Sequence, residues 1–223
     1  CQKIFCYSNK IKNFPNELKY KISVIPALLR KEFYNIRVSN KRNKNFNLLI
    51  IGGSQGAKLF DTEIKNSIIA LSKKYQLKVY QQTSQKNFKS LKLFYQSIQI
   101  ENELFDFDDD VVTFMSKANI CLTRAGASTL AELVFLNVAH IAIPLPTAKD
   151  NHQFENAFFY NQHGCNWLLN QNEINDDNLV NKLFNIIDNK EEYLNKKMNM
   201  KNLSYQNTWN NINQKIISSI NEN

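Results

Sequence analysis

Three short runs of small and polar residues each follow an apolar stretch, and each is suited to phosphate or hydroxyl groups. The first is Gly52-Gly53-Ser54-Gln55-Gly56, directly after the apolar run 46–51. Small residues let backbone approach a phosphate, and a helix N-terminus offers free N–H groups and the positive end of its dipole. Ser54 adds a hydroxyl donor. The spacing is not GxGxxG, and no Lys-Ser/Thr follows the last glycine, so neither the dinucleotide nor the Walker pattern is met. A tight strand-to-helix turn without ligand accounts for the same residues.

The second run is Thr123-Arg124-Ala125-Gly126-Ala127-Ser128-Thr129-Leu130-Ala131-Glu132. Two readings compete. Thr129 and Glu132 have the spacing of a capping box, which needs no ligand. Alternatively, the amides of Ala127, Ser128 and Thr129 face a diphosphate, and Glu132, one turn in, accepts hydrogen bonds from a sugar diol. The third run, within 144–153, ends in Lys149-Asp150-Asn151-His152-Gln153, with Glu155 and Asn156 beyond it. It suits a hydroxyl-rich ligand, or simply a helix capped by Asp150 or Asn151. The acidic run Phe107-Asp108-Asp109-Asp110 is read as a helix start favoured by the dipole rather than as a metal site.

Strands and helices must alternate to place these runs together. Apolar runs at 3–7, 21–25, 46–51, 76–81, 98–100, 119–123, 138–143 and 166–169 predict strands. Helical periodicity predicts helices at 57–74, 85–95, 111–117, 128–137, 151–163 and 176–187, then two more within 191–220. Residues 38–45 read as a polar linker. Continuous apolar strands alternating with helices predict an α/β fold, a Rossmann-like parallel sheet covered on both faces. Ligands of such sheets bind at the carboxyl ends of the strands, where all three runs fall.

Composition narrows the class. The chain of 223 residues is 43% hydrophobic and 22% charged, with 5 Gly and 4 Pro, which excludes disordered and collagen-like chains. No apolar run approaches the roughly 18–20 residues of a membrane-spanning helix. Cys1, Cys6, Cys121 and Cys165 form no CxxC pair, and the 3 histidines add no metal-ligand spacing, so no metal and no disulfide framework are expected. The start lacks a secretory h-region and also lacks Met, pointing to a processed chain, a fragment or half of a split protein. The net charge of +8 comes from scattered lysines and reads as a solvated surface, not a nucleic-acid site.

Taken together, the glycine run, the acidic run, the 123–132 run and Lys149-Asp150-Asn151-His152-Gln153-Phe154-Glu155-Asn156-Ala157 resemble the MurG family in order and spacing. That family transfers N-acetylglucosamine to the undecaprenyl-linked muramoyl-pentapeptide precursor of peptidoglycan. The resemblance covers nearly the whole chain and corresponds to the carboxyl-terminal, donor-binding half of a two-domain GT-B enzyme. It implies a remnant of the amino-terminal domain and linker at 1–36, a UDP-sugar-binding domain at 37–203 and a carboxyl-terminal helix at 204–223. Gly53, Ser54 and Gln55 would then meet the diphosphate, and backbone at Asp108 the uracil. Ala127, Ser128 and Thr129 would hold phosphates, and Glu132 the ribose. His152 and Gln153 would meet the transferred sugar. Arg30 would replace a donor-facing arginine, although the family reads Gly-Asn-Pro-Val-Arg where this chain has Ile25-Pro26-Ala27-Leu28-Leu29-Arg30.

UDP-N-acetylglucosamine would be a substrate, so no cofactor is implied. The acceptor would be reached through the absent amino-terminal domain, at the cytoplasmic face of the inner membrane, and no catalytic base is assigned. Two alternatives stand beside this: another UDP-sugar-dependent lipid glycosyltransferase, or a UDP-sugar-binding subunit without activity alone.

Overall fold

The structure, a computed structural model, describes residues 2–9, 11, 14–36, 45–106, 111–205 and 207–221, with backbone alone at 54–57 and 176. Strands β1 (Ile4–Cys6) and β2 (Ile22–Val24) open the chain, followed by helix α1 (Lys31–Asn35). Then come β3 (Phe46–Ile51), α2 (Gly53–Thr62), α3 (Lys65–Lys74), β4 (Leu77–Gln82), α4 (Gln85–Ser97) and β5 (Glu101–Phe105). The second half runs α5 (Val111–Lys117), β6 (Ile120–Thr123), α6 (Ala127–Phe135), β7 (Ala139–Ala142), α7 (His152–Gln162) and β8 (Trp167–Leu168). Helices α8 (Asp176–Asp188), α9 (Lys190–Ser204) and α10 (Trp209–Asn221) complete it.

Six strands form one sheet in the order β5-β4-β3-β6-β7-β8, and every pairing in it is parallel. The chain winds outward from β3 to β5, then returns to lay β6 on the other side of β3. The strand order therefore reverses between β3 and β6, which is where such sheets open a ligand crevice. Alternate residues of each strand feed opposite faces. Leu48, Ile50, Val79, Ile120, Leu122 and Ile141 join one core cluster. Leu49, Ile51, Tyr80 and Cys121 join the other. The expected α/β sheet with helices on both faces is what forms.

Helix α1 was not predicted, and two predicted elements differ from expectation. The predicted helix 57–74 is two helices, divided at Glu63 and Ile64. Thr62 Oγ1 donates to the Lys58 carbonyl at 2.8 Å, competing with the backbone ladder at the break. The strand predicted at 98–100 is instead the turn that follows α4. The amides of Ile98 and Ile100 donate to Phe94 and Tyr95, and Gln99 turns the chain with φ of 55°. The strand itself, β5, alternates in exposure as a sheet edge does, so its apolar signal is weak. Most of the predicted linker 38–45 lies outside the described residues.

β1 and β2 form a separate two-stranded parallel pair. Helix α10 reaches it through Ser23 Oγ and Ser219 Oγ, 3.3 Å apart. Asn207, just before α10, accepts from Tyr34 Oη at 3.2 Å and donates to the Ala27 carbonyl at 3.0 Å.

His140 on β7 is wholly buried, with Nδ1–H donating to the Val138 carbonyl at 2.9 Å and Nε2 without a hydrogen-bond partner. Burial pushes its pKa down to about 4. The folded ring therefore resists protonation that the unfolded ring accepts near pH 6.5. Below that pH the unfolded state binds more protons, so stability falls as pH drops from about 6.5 to about 4, by about 3 kcal/mol from this residue. Urea unfolding of His140→Gln should lack that increment of acid sensitivity. A variant as acid-sensitive as the parent would assign the effect elsewhere.

Candidate functional site at the strand reversal

The carboxyl ends of β3 and β6 are neighbours, with Ile51 opposite Thr123. The Arg124 amide continues that ladder to the Ile51 carbonyl at 3.1 Å. The glycine turn and the 123–126 turn thus leave the sheet side by side. Gly53 takes φ of 64°, a left-handed value that glycine adopts without strain, and opens α2. Its amide donates to Gln82 Oε1 on the adjacent β4 at 3.2 Å. Ser54 and Gln55 lie in the first turn of α2, and their side chains are outside the described residues.

Gly126 is the N-cap of α6, with extended φ of −65° and ψ of 136° and no side-chain cap bond. The capping box does not form. Glu132 turns instead to the linker, where Arg30 Nε meets Oε1 at 2.8 Å and Nη2 meets Oε2 at 3.1 Å. Ala127, Ser128 and Thr129 therefore head the helix without a side-chain cap, the arrangement that leaves amides for an anion. Arg30 stands there because Phe33 of α1, three residues on, is wholly buried in the second core cluster. The Arg30 side chain is 50% exposed and the Glu132 side chain 4%. Burial raises the Glu132 pKa, while its bonds and charge attraction to Arg30 pull it back down. A carboxylate has about four acceptor sites, so a fork from Arg30 leaves room for two hydroxyl donors.

The turn before α7 is bent by two successive left-handed residues, Asp150 with φ of 53° and Asn151 with φ of 55°. Asn151 is the N-cap, but its side chain makes no cap bond. His152 is exposed, and its Nδ1 lies 2.7 Å from the Lys149 carbonyl. Gln153 reaches the 123–126 turn, where Oε1 accepts from Leu145 N at 2.9 Å and Ala125 N at 3.3 Å. Arg30, Gly53, Glu132, Gln153 and the head of α6 thus sit on or beside the strand reversal. His152 bonds within its own turn, and Asp108 lies outside the described residues.

Two buried groups beneath the site were absent from the predicted set. Arg124 donates from Nη1 to the carbonyls of Ile143 and Pro144, at 3.3 and 3.4 Å, and from Nη2 to Gln171 Oε1 at 2.7 Å. It ties the ends of β6, β7 and β8, and burial lowers its pKa to about 10, so it stays cationic at neutral pH. Asp61 of α2 accepts from Gln81 Nε2 at 2.8 Å, Thr83 Oγ1 at 2.9 Å and Asn87 Nδ2 at 2.7 Å, binding α2 to β4 and α4. An arginine closing an apolar strand was the available signal for the first; none marks the second.

A cavity of about 770 Å³ opens beside Ala127, between α7 (Asn156, Phe158) and the N-terminal segment (Tyr7, Ser8, Lys19). Among the described residues, no cluster of three or more His, Cys, Asp or Glu is placed to hold a metal ion, and no helix is long and apolar enough to cross a membrane.

Residues 47–215 match the model of the glycosyltransferase family 28 C-terminal domain. The chain is 67% identical over its full length to the UDP-N-acetylglucosamine--N-acetylmuramyl-(pentapeptide) pyrophosphoryl-undecaprenol N-acetylglucosamine transferase of Pelagibacter ubique (strain HTCC1062), covering 63% of that protein. The transferase of the same name from Rickettsia canadensis (strain McKiel) is 39% identical over 193 residues, which are 84% of this chain and 54% of that one. The crystal structure of Acinetobacter baumannii MurG superposes with a TM-score of 0.66 at 25% identity, covering 85% of this chain and 54% of that one. A UDP-GlcNAc 2-epimerase from Neisseria meningitidis, solved with UDP-GlcNAc, shares the fold with a TM-score of 0.57 at 18% identity over 82% of this chain and 45% of that one. The matched part is thus 63% of the Pelagibacter relative, 54% of the Rickettsia relative and of MurG, and 45% of the epimerase.

Proposed function

The chain belongs to the family of the glycosyltransferase family 28 C-terminal domain, and from that premise we propose that it is the donor-binding half of a UDP-N-acetylglucosamine-dependent transferase. The observation that carries the reading is the juxtaposition of two helix-heading turns at the strand reversal, both with a glycine N-cap that offers no side-chain cap, with Glu132 further along α6. In this reading, Gly53–Gln55 and Ala127–Thr129 grip the diphosphate, Asp108 backbone meets uracil, and Glu132 accepts from the ribose. His152 meets the transferred N-acetylglucosamine, and Gln153 stands close to it.

The reaction in this reading is the one that the family resemblance implies. An acceptor hydroxyl, the 4-hydroxyl of the lipid-linked muramoyl-pentapeptide, attacks the anomeric carbon with inversion. UDP departs, its growing negative charge met by oriented amides at the heads of α2 and α6. Holding donor and acceptor in line supplies much of the rate. The acceptor's own contacts and the general base belong, in this reading, to the part of the relatives that this chain does not match, with residues 1–36 as the remnant of that part and the linker, and 204–223 as a carboxyl-terminal helix. The working location is the cytoplasmic face of the plasma membrane, held peripherally. No cofactor takes part.

Isothermal titration with UDP-N-acetylglucosamine tests this. Saturable binding is expected, with UDP-glucose weaker and EDTA without effect. Absence of binding to any uridine nucleotide would overturn the reading. Loss of binding with EDTA would return a metal to Asp108–Asp110.

A further inference from the structure

We infer that Gln153 and Asn156 are a positioning pair, holding the peptide of Ala125 so that the head of α6 is correctly presented to a diphosphate. The two residues stand three apart on α7 and so share one face. Gln153 Oε1 accepts from Ala125 N at 3.3 Å and from Leu145 N at 2.9 Å, while Asn156 Nδ2 donates to the Ala125 carbonyl at 3.0 Å. Ala125 is wholly buried and lies two residues past the end of β6. Two side-chain amides supply the hydrogen bonds that an adjacent strand would give it. Buried backbone groups left unmet are costly, so the course of this turn depends on α7.

Ala125 immediately precedes Gly126, the cap position of α6. Its peptide plane sets where the amides of Ala127, Ser128 and Thr129 point, and amide-to-oxygen bonds tolerate only a few tenths of an ångström. The neighbours also fix which end of each side-chain amide faces them. Two backbone N–H groups require the oxygen of Gln153, and a carbonyl requires the NH₂ of Asn156. Through Oε1 Gln153 thus works as an acceptor toward backbone, and Asn156 works as a donor.

The pairing stands without a ligand, whereas its use in binding rests on the nucleotide reading above. The test exploits the opposite polarity of the two amides. Gln153→Met, Gln153→Glu and Asn156→Asp are titrated with UDP and with uridine, and amide exchange is followed at Ala125 and Leu145. Gln153→Met and Asn156→Asp should each weaken UDP by about 10- to 100-fold, with uridine within about threefold of the parent. Gln153→Glu, which restores acceptor oxygens, should recover most of the loss, although it adds the same charge as Asn156→Asp. Exchange at Ala125 and Leu145 should quicken in Gln153→Met. Equal losses in the two acidic variants, or a parallel loss of uridine, would overturn the pair. If the parent bound no uridine nucleotide, the nucleotide reading would fall, and unchanged exchange in Gln153→Met would overturn the pairing independently.

Discussion

Gly126→Asp is expected to make the fold slightly more stable while removing its affinity for nucleotide diphosphate. Gly126 already has the extended backbone of an N-cap, and a Cβ there would lie 3.6 Å from Thr129 Oγ1, an ordinary contact. An aspartate at this position can accept from the second or third amide of α6 and complements the dipole, contributing about 0.5 kcal/mol. In a chain this size that is a rise of about 1–2 °C in melting temperature. Its carboxylate would then occupy the space of a phosphate and repel the rest, for a loss of about 100-fold or more in UDP affinity. Gly126→Ala controls for bulk alone. Calorimetry and titration together check the opposite signs. An aspartate variant that binds UDP like the parent would show that phosphate does not sit on α6.

Glu132→Ala is expected to lose about 100-fold in affinity for UDP-N-acetylglucosamine, as two charge-assisted bonds to ribose hydroxyls are removed. The cycle with 2′-deoxy-UDP separates this from general damage. Deleting the hydroxyl should weaken the parent strongly and the variant hardly at all. Equal sensitivity in both would remove Glu132 from the ribose. A pH dependence follows from burial. The Glu132 carboxyl titrates above the ordinary carboxylate range, and its ionised form is the better acceptor. Donor affinity should therefore fall on acidification, with a midpoint above that of an ordinary glutamate. Arg30 lowers that midpoint, so Arg30→Ala should move it upward.

Long continuous apolar runs were legible because a strand buried on both faces has no polar side to hide. β3, β6 and β7 carry that signal; β5, at the edge, does not. The turns after β3 and β6 were legible as strand-to-helix steps because small residues follow each apolar run directly. What escaped reading was everything that depends on distance in space. The fork from Arg30 to Glu132 spans 102 positions of sequence, and local spacing instead offered a capping box for the same glutamate. Arg124 lies inside a motif that was read, yet its role comes from carbonyls 19 and 20 residues away. The two backbone amides that Gln153 Oε1 accepts from are brought near only by the fold.

The most direct test is an amide NMR titration of the chain with UDP. Resonances of Gly53 and of Ala127, Ser128 and Thr129 should move together and saturate at one shared dissociation constant. Shifts at only one of the two turns, or confined to surfaces away from the β3–β6 reversal, would contradict the claim that both helix heads grip one diphosphate.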